Sequence, residues 1–259
     1  MALLRIDHLP KSVGVNLPLL IILPDQFSGR KTLRTCPILF LLHGLSDDAS
    51  AWQRYTNIEI LARKHNLCVV MPSVGRSFYA DMANGQAYFS YLTEELPEYL
   101  RRVFRLDLSR RNMLVAGLSV GGYGAFKLAF LRPEMFRAAL SFSGAFLNLL
   151  IKNPPQTEKG KRTLQEFDLA FGGLEKLPGS QNDPDVWLRQ ATQKPEALPE
   201  LFMSIGLEDS LLESNRQFYQ QATRLGIPID YNESPGGHEW FFWGEQLQNW
   251  LDYLLLKEE

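Results

Sequence analysis

G-L-S-V-G-G-Y-G-A-F-K, from Gly117 to Lys127, sets a single serine between an apolar run at 113–116 and a segment with helical spacing. Four glycines, Gly117, Gly121, Gly122 and Gly124, crowd around Ser119. Residues without a Cβ are needed where a backbone turns sharply or where two backbones approach closely. The stretch therefore predicts a strand that bends at Ser119 straight into a helix, with the serine hydroxyl held out at the bend.

Outward from this bend, short apolar runs alternate with longer amphipathic ones. Strands are expected over 13–23, 36–42, 67–71, 113–118, 138–142, 201–205 and 228–232. Helices are expected over 51–65, 94–104, 121–131, 211–225 and 239–256, with Pro97 in the first turn of the second or kinking it. Fully apolar strands alternating with helices argue for an α/β fold, a mostly parallel sheet covered on both faces. No repeat of 20–50 residues interrupts this rhythm, and 259 residues lie within the range of one α/β domain, so one domain over 1–259 is expected. A segment rich in Pro, Gly, Gln, Lys and Glu, about 152–199, breaks the rhythm and carries one short helix near 163–170. It reads equally as a lid over the sheet or as a surface insertion.

Composition narrows the function classes. Of 259 residues, 45% are hydrophobic and 22% charged, with a formal net charge of −2, which suits a globular domain of ordinary composition. Lysines and arginines are scattered and form no stripe, so nucleic acid is not an expected partner. Cys36 and Cys68 each lie beside apolar strand residues and read as buried free thiols. The N-terminus has no apolar signal core, and the run 17–23 is too short to span a bilayer. A cytoplasmic protein with no membrane partner is the expectation.

A serine hydroxyl is a weak nucleophile until a base takes its proton. Of four histidines, His8 and His65 read as surface residues, and His43 as a residue that holds its loop by hydrogen bonds. His238, in P-G-G-H-E-W, follows the last expected strand and precedes the last helix, which suits a base. An acid must hold that base in its tautomer. The strand 201–205 runs into G-L-E-D-S, which offers Glu208 and Asp209; spacing does not choose between them, and Asp209 is preferred. Acyl transfer also needs hydrogen-bond donors aimed at the developing oxyanion. The Val120 N–H, at the start of the helix after the serine, is one candidate, and the Leu45 N–H, in the loop H-G-L-S-D-D after an early strand, is the other.

Four motifs, L-L-H-G-L-S-D-D-A-S-A-W, G-L-S-V-G-G-Y-G-A, I-G-L-E-D and G-G-H-E-W-F-F-W, together resemble the putative-esterase (esterase D) family of α/β-hydrolases. The chain looks most like bacterial tributyrin esterases, whose early loop has the H-G-x7-W spacing found here from His43 to Trp52. The resemblance implies an α/β-hydrolase fold with Ser119 as nucleophile, Asp209 as acid, His238 as base, and Leu45 and Val120 as oxyanion donors. It also implies a small-molecule ester substrate with short acyl chains, acetyl to butyryl, a covalent acyl-enzyme, and self-association into a homo-oligomer. Two alternatives are an acyltransferase and a thioesterase such as an S-formylglutathione hydrolase. The latter carry G-L-T-C where this chain has G-L-S-D, which weighs against glutathione thioesters. No metal or other cofactor is expected, because H-E-W-F-F lacks the second histidine of H-E-x-x-H. Trp52, Phe78, Tyr79, Trp240 and Trp243 are candidate walls of an acyl pocket, with Trp52 and Trp240 preferred and core packing as the competing role.

Overall fold

The computed structural model describes residues 1–24, 35–146 and 158–256, with the side chains of 158–164 left out of account. Eight strands form one sheet: β1 (Ala2–His8), β2 (Leu17–Leu23), β3 (Ile38–Leu42), β4 (Cys68–Pro72), β5 (Met113–Leu118), β6 (Ala138–Phe142), β7 (Glu200–Gly206) and β8 (Asp230–Ser234). Their spatial order is β1-β2-β4-β3-β5-β6-β7-β8. β1 and β2 pair antiparallel, as do β2 and β4, and every other neighbouring pair is parallel.

The central strands are apolar throughout because both faces are covered. Side chains on a strand alternate between faces. Ile38, Phe40 and Leu42 of β3 enter one core, while Leu39 and Leu41 enter the other. The first core is closed by helices Leu96–Phe104, Val120–Leu131, Pro184–Ala191 and Leu212–Arg224, and the second by Ala51–Tyr55, Ile58–Lys64 and Trp240–Leu256. The α/β-hydrolase arrangement expected from the motifs is the one found.

The departures from the expected elements have local causes. β1 is an edge strand whose inward positions Leu4, Ile6 and His8 are only half-buried, so its alternation is too weak to stand out in the sequence. The helix expected over 51–65 is two, because Thr56 is extended and turns its hydroxyl back to the Trp52 carbonyl. Before Pro97 the chain is already helical from Tyr88, and a wide turn at Tyr91–Glu95 precedes the proline, which lies at the start of Leu96–Phe104 and lacks the N–H of an ordinary helix residue. β8 starts two residues later than expected, after Pro228, which has no N–H to give to a ladder.

Of the segment 152–199, residues 152–157 lie outside the described residues. The remainder holds the helix Glu158–Phe171, longer than expected, and the helix Pro184–Ala191, which the sequence did not suggest. It is anchored by large side chains. Phe167 is fully buried against Phe78, and Trp187, 1% exposed, packs on Tyr123 and Phe130.

Lys127, one turn beyond the glycine cluster, is fully buried and donates to the Tyr79 carbonyl at 2.8 Å and to Asn182 Oδ1. Burial pushes its pKa down to about 7. Between that value and the ordinary lysine range the unfolded chain binds a proton that the folded chain has released, so this group's contribution to stability rises with pH. Wild type is expected to gain stability relative to Lys127→Met by on the order of 2 kcal/mol from about pH 7 to about pH 9. Urea midpoints of the two proteins across that interval check it; parallel profiles would show that the buried amine keeps its proton.

Candidate active site

The bend at Ser119 is as sharp as its glycines imply. Ser119 has φ 54° and ψ −120°, a conformation that costs a non-glycine residue on the order of 1–3 kcal/mol. The surroundings hold it there. Its N–H donates to the Phe142 carbonyl at 2.9 Å, and its carbonyl accepts from Tyr123 N at 3.1 Å and Ala145 N at 2.9 Å. A Cβ at Gly117 would stand 2.2 Å from the Gly121 carbonyl oxygen, and one at Gly121 would stand 2.5 Å from that of Leu42. These two glycines let the helix Val120–Leu131 start directly against β5 and β3.

Asp209 and His238 follow β7 and β8 as Ser119 follows β5, so all three lie at carboxyl ends of parallel strands. Such ends form the ligand crevice of open α/β sheets. His238 Nδ1 lies 2.9 Å from Asp209 Oδ2 and 3.1 Å from Oδ1. The Asp209 side chain is fully buried, whereas that of His238 is 33% exposed. Burial pushes the Asp209 carboxyl upward, but hydrogen bonds from His238, Leu211 N–H and Ser143 outweigh it and hold the group below the usual carboxylate range. With Nδ1–H given to this carboxylate, Nε2 is the ring atom left to act as a base. Among the described residues, no direct hydrogen bond joins it to Ser119 Oγ; in ligand-free sites such bonds are often long.

Glu208, the competing acid, meets a different partner. Its carboxylate accepts from Gly236 N at 2.6 Å, and its own N–H donates to the Gly236 carbonyl at 3.1 Å. With Leu207 N donating to the Ser234 carbonyl, these bonds join the turn after β7 to the loop bearing His238. A Cβ at Gly206 would lie 2.0 Å from the Gly236 oxygen, so only glycine permits this approach.

The loop after β3 passes beside the serine: a Cβ built on Gly44 would stand 3.8 Å from Ser119 Cβ. His43, 1% exposed, orders this loop. Its Nε2 accepts from Val74 N at 3.1 Å, so Nδ1 carries the proton and donates to the Gly44 carbonyl at 2.7 Å. That carbonyl shares a peptide unit with the Leu45 N–H. In a trans peptide the two point in opposite directions, so the histidine orients the candidate donor. Burial pushes the His43 pKa down, consistent with this neutral tautomer. Among the described residues, neither Leu45 N–H nor Val120 N–H is spent on a hydrogen bond within the protein.

Two further residues stand at the Asp209–His238 pair, one of which, Ser143, the sequence did not suggest. The Ser143 hydroxyl hydrogen-bonds Asp209 and accepts from Trp243 Nε1 at 2.9 Å, while the Trp243 ring stands edge-on to His238 at 4.9 Å. Ser143 has φ 49°, and nothing local in S-F-S-G marks it. Trp243, a candidate pocket wall in the sequence, thus packs on the histidine and holds the Ser143 hydroxyl. The other two tryptophans suggested as pocket walls occupy different places. Trp52, 1% exposed, is packed on Phe142 with its indole N–H on the Leu42 carbonyl. Trp240 is partly exposed and lines a groove of about 440 Å³ with Tyr55 and Phe241. Among the described residues, no three His, Cys, Asp or Glu side chains gather as a metal site would need, and no helix is long and apolar enough to cross a membrane.

The chain is similar to known proteins along nearly its whole length. An acetyl esterase of Caldicellulosiruptor saccharolyticus is 28% identical, with 98% of each chain covered. The S-formylglutathione hydrolase of Rattus norvegicus is 24% identical over 91% of this chain and 87% of its own. Among solved structures, FphF, a fluorophosphonate-binding serine hydrolase of Staphylococcus aureus, superposes with a TM-score of 0.87 at 29% identity over 98% of both chains. An S-formylglutathione hydrolase from the same organism gives 0.84, also at 29% identity and 98% coverage of both chains. The family model described as putative esterase matches residues 11–254. With strained serine, buried acid and loop histidine at three strand ends of the matching fold, the chain belongs to this esterase family and is an α/β serine hydrolase.

Proposed function

We propose that the chain is a serine carboxylesterase for short-chain acyl esters, acetyl to butyryl, with Ser119, His238 and Asp209 as its catalytic triad. The observation that carries the reading is the Asp209–His238 pair, 2.9 Å apart, at the same end of the sheet as the strained Ser119. In the first half-reaction Ser119 Oγ attacks the ester carbonyl carbon while His238 Nε2 takes its proton. Asp209 stabilises the imidazolium, and the oxyanion receives the N–H groups of Leu45 and Val120. The tetrahedral species collapses with loss of the alcohol, which takes the proton from His238. Water, deprotonated by the same nitrogen, then attacks the acyl-serine, and Ser119 recovers its proton as the acid leaves.

The acetyl esterase relative supports a small acyl group, and the fluorophosphonate-binding neighbour supports a serine reactive toward acyl and phosphonyl electrophiles. S-formylglutathione hydrolases among the relatives favour a thioester as the second reading. One substrate panel decides: p-nitrophenyl esters of increasing acyl length beside S-formylglutathione. The expected result is kcat/KM highest between acetyl and butyryl and falling by at least about tenfold at octanoyl, since a pocket sized for short acyl chains rejects added methylenes. A preference for S-formylglutathione over every ester would replace the proposal with the thioesterase.

A further inference from the structure

The loop after β4 lies between the loop bearing Leu45 and the segment 158–191. On one side Ser73 Oγ accepts from Ala49 N at 2.9 Å, and the Tyr79 hydroxyl donates to the His43 carbonyl at 2.7 Å. On the other side Ala83 N and Asn84 N donate to the carbonyls of Ala170 and Leu169, each at 3.0 Å. Arg76 spans both partners with one side chain. Its Nη1 donates to the Leu45 carbonyl at 3.1 Å. Its Nε and Nη2 grip the two carboxylate oxygens of Glu166, on the helix Glu158–Phe171, at 2.6 and 2.8 Å.

Gly44–Asp47 forms a turn closed by Asp47 N on the Gly44 carbonyl at 3.2 Å. In such a turn the middle peptide, here Leu45–Ser46, can sit in either of two orientations related by a flip, and these distinguish the common turn types. His43 fixes the peptide before Leu45 through the Gly44 carbonyl, and Arg76 fixes the peptide after it through the Leu45 carbonyl. Both planes flanking the Leu45 Cα are thereby anchored. A guanidinium held in a fork by a carboxylate is itself restricted in direction, which an ammonium in its place would not be.

We propose that Arg76 is a positioning residue of this esterase: held by Glu166, its guanidinium anchors the Leu45 carbonyl and couples the helix Glu158–Phe171 to the oxyanion loop. The proposal rests on the reading of Leu45 N–H as an oxyanion donor. It gives the helix Glu158–Phe171 a role in the chemistry through one arginine side chain, without requiring it to open or close. Substrate binding does not depend on the oxyanion donor as strongly as the transition state does, so loss of the anchor should appear in kcat and leave KM nearly unchanged.

The test uses Arg76→Gln, Arg76→Lys, Glu166→Gln and the double variant Arg76→Gln/Glu166→Gln, assayed on p-nitrophenyl acetate. Active sites are counted by phosphonate titration carried to completion, so that unfolded molecules do not enter kcat. Arg76→Gln is expected to lower kcat about tenfold, less than removal of a donor outright, with KM within about twofold. Glu166→Gln is expected to lower it less, Arg76→Lys to fail to restore it, and the double variant to match Arg76→Gln alone, because the carboxylate acts through the arginine. Wild-type kcat per titrated site in Arg76→Gln, or losses that multiply in the double variant, would overturn the coupling. Either result leaves the esterase reading intact, since that reading is tested separately, by the substrate panel and by phosphonylation of wild type at Ser119.

Discussion

Ser119→Ala is expected to reduce kcat on the best ester by a factor on the order of 10⁶, with folding and substrate affinity retained. The loss is large because nucleophile and base work as one unit: without an oxygen at 119, His238 has nothing to deprotonate, and only oxyanion binding and substrate positioning remain. Alanine also removes just one atom from a residue whose backbone is fixed by bonds to Phe142, Tyr123 and Ala145. The variant should therefore melt within a few degrees of wild type and, with a strained residue still at φ 54°, show no large gain in stability. Two measurements check this: pre-steady-state release of p-nitrophenol, and mass spectrometry after treatment with a fluorophosphonate. Wild type should gain one phosphonyl group on the peptide containing Ser119, and the variant none. Activity within tenfold of wild type would place the nucleophile elsewhere.

Asp209→Asn is the second large effect, expected on the order of 10⁴ in kcat. The asparagine amide keeps the size of the carboxylate but offers a donor to His238 Nδ1, which favours the tautomer with its proton on Nε2. The base is then lost without any displacement of its ring. Ser143 and Leu211 N–H, which now donate to the Asp209 carboxylate, also lose a charged acceptor. Glu208→Gln gives the contrast. An amide oxygen can still accept from Gly236 N, so the junction between the two loops is kept and the loss should stay within about tenfold, as for a hydrogen bond whose charged acceptor becomes neutral. Steady-state kinetics of both variants on one ester rank them. If Glu208→Gln proved the more damaging, the acid role would pass to Glu208.

What was legible in the sequence follows from local causes. Alternation of apolar runs with amphipathic ones needs only the periodicities of strand and helix, so seven of the eight strands and their order along the chain could be read directly. Ser119 was legible because a sharp strand-to-helix bend demands glycine at 117 and 121, and each of those glycines does meet backbone at under 3 Å. Asp209 and His238 were legible as strand-end residues in the right order, although the spacing of G-L-E-D left two acids open. Edge strand β1 was missed for the opposite reason, since a half-buried edge carries only a faint alternation.

The tertiary structure decided what depends on contacts between distant segments. Which carboxylate in G-L-E-D meets His238, and which meets Gly236 N, is decided where the turn after β7 packs on the loop thirty residues downstream, so closely that a Cβ on Gly206 would stand 2.0 Å from the Gly236 oxygen. The hydroxyl of Ser143, the edge-on ring of Trp243 and the three-way grip of Arg76 join residues up to a hundred positions apart. Local patterns determine where an element starts, which face it buries and where it must bend. The direction in which a side chain finds its partner is set only when the sheet brings the strand ends together, because the interaction energy resides in that juxtaposition and in neither segment alone.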